Sequence, residues 1–282
     1  MNDRDFDRLL SDVSRSFYLS LRIVPAVVRE PLSLGYALAR LSDTIADSSD
    51  APSDERIRAL RELPDRWVDR WTAPDPGEAR LLKHGKDLLD RLTHSAWRRE
   101  IEDVWATIRN GQIFDVERFP SPVPLSESEL QTYTYSVAGC VGEFWTRICF
   151  AAVRNYADAP VETMLRLGRS FGDALQLVNI LRDRVSDGLA GRVYVPAERL
   201  QETIAVARTG LQAGVDYAAG VRSSRLRLAV LLPARLGLRT LELIEAAPDA
   251  RRVKVPRREL WAILMMALPG LLPGRFSRLV CL

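Results

Sequence analysis

Histidine, lysine and cysteine are scarce in this chain of 282 residues, which has two histidines, three cysteines and lysine only at positions 83, 86 and 254. Few histidines leave little room for proton relays or zinc sites. A Ser-His-Asp triad or an HExxH metal site would have to use His84 or His94, which lie ten residues apart in an Arg-rich helical pattern and read as surface residues. Cys140, Cys149 and Cys281 are odd in number and lack CxxC spacing, which points to a reducing compartment, the cytoplasm, and away from a disulfide framework. An excess of one charge is also missing. Lys+Arg number 40 against Asp+Glu 37, and with no polybasic tract nucleic acid is not an expected partner.

No apolar run reaches the ~20 residues needed to span a bilayer. "LWAILMMALPGLLPG" at 260–274 has 15 residues and two prolines, enough for peripheral contact with the inner face of a membrane but not for crossing it. The opening "MNDRDFDRLLSDVSRSF" has no signal-peptide core, and its acids do not suit a transit peptide.

What the chain does have is helical periodicity and arginine, whose planar fork suits phosphate oxygens as well as carboxylates. In "LSLGYALARLSDTIAD" the apolar residues Leu34, Leu38, Leu41 and Ile45 form one stripe of an amphipathic helix. Similar patterns cover 55–71, 79–109, 127–153, 161–187, 198–246 and 257–272, and only "GRVYVP" at 191–196 looks extended. The segments 48–54 and 119–128 are short enough to be inter-helix loops. The expectation is one all-α domain over 1–282, a bundle of eight to ten helices. "SVAGCVGEFWTRICFAA" mixes small residues with bulky ones, as a central helix does, and such a bundle can enclose a hydrophobic cavity.

Two polar lines interrupt these apolar helices. Tyr36, Arg40, Asp43 and Asp47 step by 4, 3 and 4; Gln176, Asn179, Asp183 and Asp187 step by 3, 4 and 4, with Arg182 beside them. Like charges four apart on a helix repel by a few tenths of a kcal/mol. In a chain with 37 acids a single DxxxD is unremarkable as a solvated face. The second line, however, runs through Ala174, Leu175, Leu177, Val178, Ile180 and Leu181, where polar groups must be paired or line a cavity. Oxygen donors without histidine or thiolate suit Mg²⁺, with Mn²⁺ as a substitute, held by one or two carboxylates, waters and substrate phosphates. The tolerated repulsion then has a purpose: the carboxylates await metal and diphosphate, and nearby arginines neutralise the leaving group.

The ordered motifs "SRSF" (14–17), "YALARLSDTIAD" (36–47), "YTYSVAGCVG" (133–142), "LQLVNILRDRVSD" (175–187) and "GRVYVP" (191–196) resemble the squalene/phytoene synthase family, the head-to-head prenyl synthases. "DTIAD" and "LQLVNILRD" look closest to squalene synthases. The resemblance implies the isoprenoid-synthase helical bundle, with two Asp-rich helices facing each other across a cavity. It implies that two farnesyl diphosphates join through presqualene diphosphate to give squalene, with Mg²⁺ and reduction by NADPH. Metal ligands would be Asp43, Asp47, Asp183 and Asp187, with Asn179 in support. Diphosphate contacts would come from Ser14, Arg15, Ser16, Arg40, Gln176, Asn179, Arg182 and Arg192.

By the same resemblance Tyr133 and Tyr36 would stabilise the cation or take a proton, and Arg15, Arg40, Arg182 and Lys254 would meet the nicotinamide cofactor. Phe17, Leu38, Val137, Cys140 and Leu175 are candidates for the prenyl pocket. Ala46 and Pro256 depart from squalene synthases that carry an acid and an arginine there, which puts NADPH use in doubt. Phytoene, dehydrosqualene or presqualene diphosphate remain alternative products. A cyclising terpene synthase usually shows an asymmetric acidic pair, and a non-catalytic assembly protein of the same fold has eroded motifs. The sequence leaves the oligomeric state open.

Overall fold

Asn2 begins the first helix, its side-chain oxygen accepting from the Asp5 amide at 2.9 Å, with Asp3 and Asp5 placed favourably in the first turn. In this computed structural model, which describes residues 1–14, 17–48, 50–248, 250, 253–256 and 258–259, helix follows helix and no strand forms among the described residues. Two isolated bridges, Ser121 with Arg192 and Ala157 with Val221, are the extended pairings it contains. The chain divides into two compact units, Met1–Arg22 with Ala26–Arg118, and Ile23–Pro25 with the remainder from Phe119.

The first unit is built from α1 (Asp3–Val13), α2 (Phe17–Ile23), α3 (Ala26–Ala46), α4 (Ser53–Glu62), α5 (Pro76–Lys83), α6 (Gly85–Thr93) and α7 (Arg98–Arg118). Its centre is α3, where Leu34, Leu38 and Leu41 are fully buried, as their stripe predicts. Polar contacts fix the same helix against α7: Trp105 donates to Ser42 Oγ at 3.0 Å and Gln112 to the Ala39 carbonyl at 3.2 Å. The continuous pattern at 79–109 proves to be three helices. His84 leaves helical geometry between α5 and α6, and Gly85 packs against the Trp67 ring so tightly that an added Cβ would collide with it.

The second unit contains α8 (Glu127–Thr134), a π-helical turn (Tyr135–Gly139), α9 (Cys140–Ala152), α10 (Val161–Leu189), α11 (Leu200–Gly220) and α12 (Ser224–Ala246). A capping box between Ser126 and Glu129 starts α8. The stretch 198–246 is broken after Gly220, where the Arg222 amide donates to the Tyr156 carbonyl at 2.9 Å. With these breaks the described residues form twelve α-helices rather than eight to ten. The 29-residue α10 is the axis of this unit. α9 packs on it backbone to backbone, since a Cβ on Gly142 would strike the Gly168 carbonyl and one on Gly172 the Ala138 carbonyl.

At the same seam the Asp173 carboxyl fills the space left by Gly139, with one oxygen enclosed and unpartnered. Burial pushes this carboxyl up to about 6, opposed by Arg169 and reinforced by Glu143. A carboxyl raised on folding penalises the native state when ionised, so the penalty is absent below its unfolded value and complete above the folded one. Asp173→Asn is therefore expected to raise the melting temperature at about pH 8, by up to about 3 kcal/mol of stability, with no difference from the wild type at about pH 3. Thermal denaturation across that range checks it.

Candidate functional site

The two acidic lines lie in different units and are built differently. On α3 the Tyr36 hydroxyl donates to the Val13 carbonyl at 3.2 Å, and the buried Ser14 hydroxyl lies beside the same phenol. Burial raises the Tyr36 pKa above the ordinary phenol value, with Ser14 and Arg40 opposing the rise. Arg40 sits one turn further along, with Nη1 on Asp43 and Nη2 on Glu78 of α5. Burial works against its charge, but Asp43 and Glu78 outweigh this and hold its pKa above the usual guanidinium value.

Asp43 is half-buried and Asp47 exposed. Burial pushes the Asp43 carboxyl up to about 6, Asp47 adds to the push, and Arg40 opposes it. Two carboxylates one turn apart that raise each other's cost of ionisation are an electrostatic setting a hard cation would relieve.

On α10 the Asn179 amide donates to Gln176 Oε1 at 3.4 Å, and Gln176, Asp183 and Asp187 are half-buried. Arg182 grips Asp183 with both ends of its fork, Nε to Oδ1 at 3.1 Å and Nη2 to Oδ2 at 2.5 Å. The chain then turns at Gly191, whose φ of +78° favours glycine, and the Arg192 amide donates to the Asp187 carbonyl at 2.8 Å. Arg192 is thereby brought against the end of the second line.

Among the described residues no three His, Cys, Asp or Glu side chains converge as a metal cage. Each line offers two carboxylates, and the second adds amide oxygens. That donor set fits Mg²⁺ or Mn²⁺ completed by water and phosphate oxygens, and it does not fit zinc. Burial pushes the Cys140 and Cys149 thiols up to about 12, so neither is a thiolate donor at neutral pH.

Tyr133 is buried and stacks on Tyr194, ring centroids 5.4 Å apart at 22°, while Tyr194 also meets Phe119 at 4.8 Å. Of the pocket candidates, Leu38 is fully enclosed, Cys140 is buried with its thiol on the Ser136 carbonyl at 3.0 Å, and Val137 and Leu175 are half-buried. Lys254 is exposed on the non-helical stretch after α12. Arg15, Ser16, the Phe17 side chain and the apolar segment 260–274 lie outside the described residues. No described helix is long and apolar enough to cross a membrane. His84 pairs with Asp87 at 2.8 Å and His94 is exposed.

Sequence reasoning missed Glu78, Phe119 and Tyr194 as neighbours of predicted site residues, and the π-helical turn that follows Tyr133. "YVP" held the only signal for Tyr194, an aromatic within a short extended stretch. Nothing at 78 distinguishes that glutamate from other acids.

A profile of the squalene/phytoene synthases matches residues 10–259. The chain belongs to the squalene/phytoene synthase family. Its relatives include a presqualene diphosphate synthase of Sinorhizobium fredii, 33% identical over 190 residues, 66% of this chain and 59% of that protein. A bifunctional lycopene cyclase/phytoene synthase of Blakeslea trispora is 29% identical over 218 residues, 72% of this chain and 35% of that protein. The chain thus spans less than two thirds of the length of either relative. Among solved structures, a squalene synthase with a bound ligand superposes with TM-score 0.80 at 20% identity, covering 99% of this chain and 96% of that one. A dehydrosqualene synthase with ligand gives 0.66 at 18% identity, covering 95% of each chain. The fold of this family member is therefore the all-α isoprenoid-synthase bundle.

Proposed function

We propose that this protein condenses two farnesyl diphosphates head to head, through presqualene diphosphate, to squalene, with Mg²⁺ and with NADPH as reductant. The observation that carries the reading is the coupling of a carboxylate to an arginine in each acidic line, Arg40 with Asp43 and Arg182 with Asp183. Diphosphate chemistry needs both groups, a hard oxygen donor for metal and a fork of N–H donors for phosphate. Family membership supports the reaction type.

In this scheme Asp43 and Asp47 in one line, and Asp183, Asp187 and Asn179 in the other, hold Mg²⁺. When bound, Mg²⁺ draws charge from the bridging oxygen and lowers the barrier to C–O cleavage. Arg40, Arg182 and Arg192, with Arg15, Ser14, Ser16 and Gln176, bind and orient the diphosphates. Tyr133 offers an aromatic face to the allylic cation while its carbon is captured by the double bond of the second substrate; the stack on Tyr194 fixes that ring. Tyr36 holds the end of α1 against the first line. Val137, Cys140 and Leu175 contribute to the prenyl pocket, and Lys254 contacts the nicotinamide cofactor. The cytoplasm is the proposed compartment, with segment 260–274 touching the membrane into which the apolar product partitions.

A second reading, release of presqualene diphosphate, is favoured by the 33% identity to a presqualene diphosphate synthase and by Pro256 in the basic motif. Incubation with farnesyl diphosphate and Mg²⁺, with and without NADPH, separates the two by mass spectrometry of extracts before and after phosphatase treatment. Squalene formed only with NADPH is the expected result. Presqualene diphosphate in both incubations would establish the second reading, and no prenyl product from farnesyl or geranylgeranyl diphosphate would overturn both.

A further inference from the structure

Glu78 lies 38 residues from Arg40 in sequence, yet its carboxylate takes one end of the Arg40 guanidinium while Asp43 takes the other. Its placement is over-determined. Asp75 caps α5 by accepting from the amides of Gly77 at 2.8 Å and Glu78 at 3.2 Å, and Pro76 starts the helix. Gly77 lies against the Asp12 backbone, where a Cβ would sit 3.0 Å from the Asp12 carbonyl, and Arg80 pairs with Asp12. α5 is thus pinned to α1 at the point from which Glu78 reaches α3.

We propose that Glu78 is the positioning residue of Arg40, holding one end of the guanidinium while the other passes from Asp43 to the substrate diphosphate. This rests on the functional reading above. A divalent cation on the Asp43 carboxylate would offset the attraction that holds Nη1 there, leaving that end of Arg40 available to a phosphate oxygen. A long side chain freed at both ends would lose its orientation. Glu78 prevents that by keeping Nη2.

The test is a titration of Mn²⁺ with inorganic pyrophosphate, followed by the electron paramagnetic resonance of free Mn²⁺, on the wild type, Glu78→Gln, Arg40→Gln and the double variant. Glutamine keeps the size of Glu78, and circular dichroism verifies the fold. Glu78→Gln is expected to weaken Mn²⁺-pyrophosphate binding about 10-fold, within the range for residues that orient a site. It is expected to raise KM for the prenyl diphosphate more than it lowers kcat. In the Arg40→Gln background the same change is expected to have less than about a 2-fold effect, because Glu78 acts through Arg40. Unchanged affinity in Glu78→Gln, or an equal loss in both backgrounds, would overturn the proposal and leave the functional reading intact. A wild type that binds no Mn²⁺ with pyrophosphate would overturn both.

Discussion

Replacing Asp43 or Asp183 by alanine is expected to reduce turnover at least 10²- to 10³-fold, the scale of losing a principal electrostatic contact to the reacting group, while helical circular dichroism stays at the wild-type level. Two arguments separate the activity from the stability. The first is that these carboxylates do not hold the fold together. Asp43 is pushed up to about 6 by burial and by Asp47, so its charge opposes the native state at neutral pH. Removing it relieves repulsion, and Arg40 keeps Glu78. Asp183→Ala takes both carboxylate bonds from Arg182, which is about a third exposed and can be solvated, so losing that pair costs less than about 1 kcal/mol. The second is that each alanine removes two groups from its line at once, the proposed metal-holding carboxylate and the hydrogen-bonded anchor of the arginine beside it. Steady-state turnover of farnesyl diphosphate with Mg²⁺, set beside thermal denaturation, checks both halves. Full activity in either variant would refute the proposed metal-holding role.

The largest loss of stability is expected at Gly142. A Cβ there would occupy the position of the Gly168 carbonyl, and the obstacle is backbone, which cannot rotate away as a side chain can. Gly142→Val must push α9 from α10 along the seam that also contains Gly172 against Ala138. Overpacking in a core costs about 1–3 kcal/mol, and at about 2–4 °C per kcal/mol for chains somewhat shorter than this one the melting temperature is expected to fall by roughly 2–12 °C. Gly188 provides the control. It is exposed near the end of α10, with nothing within 4 Å of an added Cβ. Gly188→Ala should leave the melting temperature unchanged or raise it slightly, by the helix preference of alanine over glycine, about 0.5–1 kcal/mol. Differential scanning of the two variants gives the comparison directly. Equal melting temperatures would mean that α9 and α10 do not meet as closely as their glycines indicate.

Both predictions use residues that stood out in the sequence, for different reasons. The aspartates were visible because a charge on an apolar helix needs an explanation and spacing places it on a face. The period of 3.6 also located most helices, and the buried stripe Leu34, Leu38 and Leu41 lies where it was expected. Gly142 was visible only as a small residue among large ones. That it meets Gly168, rather than another small residue, depends on how α9 crosses α10. Breaks within long periodic stretches were not legible. At His84 and after Gly220 the pattern continues through the corner, because apolar residues on both sides still face the core.

By itself the sequence determined the all-α class, the two acidic lines with their arginines, and the family to which the chain belongs. These follow from periodicity and from local spacing along a helix, which fixes the neighbours of a residue to within a turn. Only the tertiary structure decided that Arg40 is shared with Glu78, that Tyr133 stacks on Tyr194, and that Asp173 fills the gap beside Gly139. A helix pattern records which face is buried and is silent on what buries it, because any apolar or complementary partner from elsewhere in the chain satisfies the same pattern.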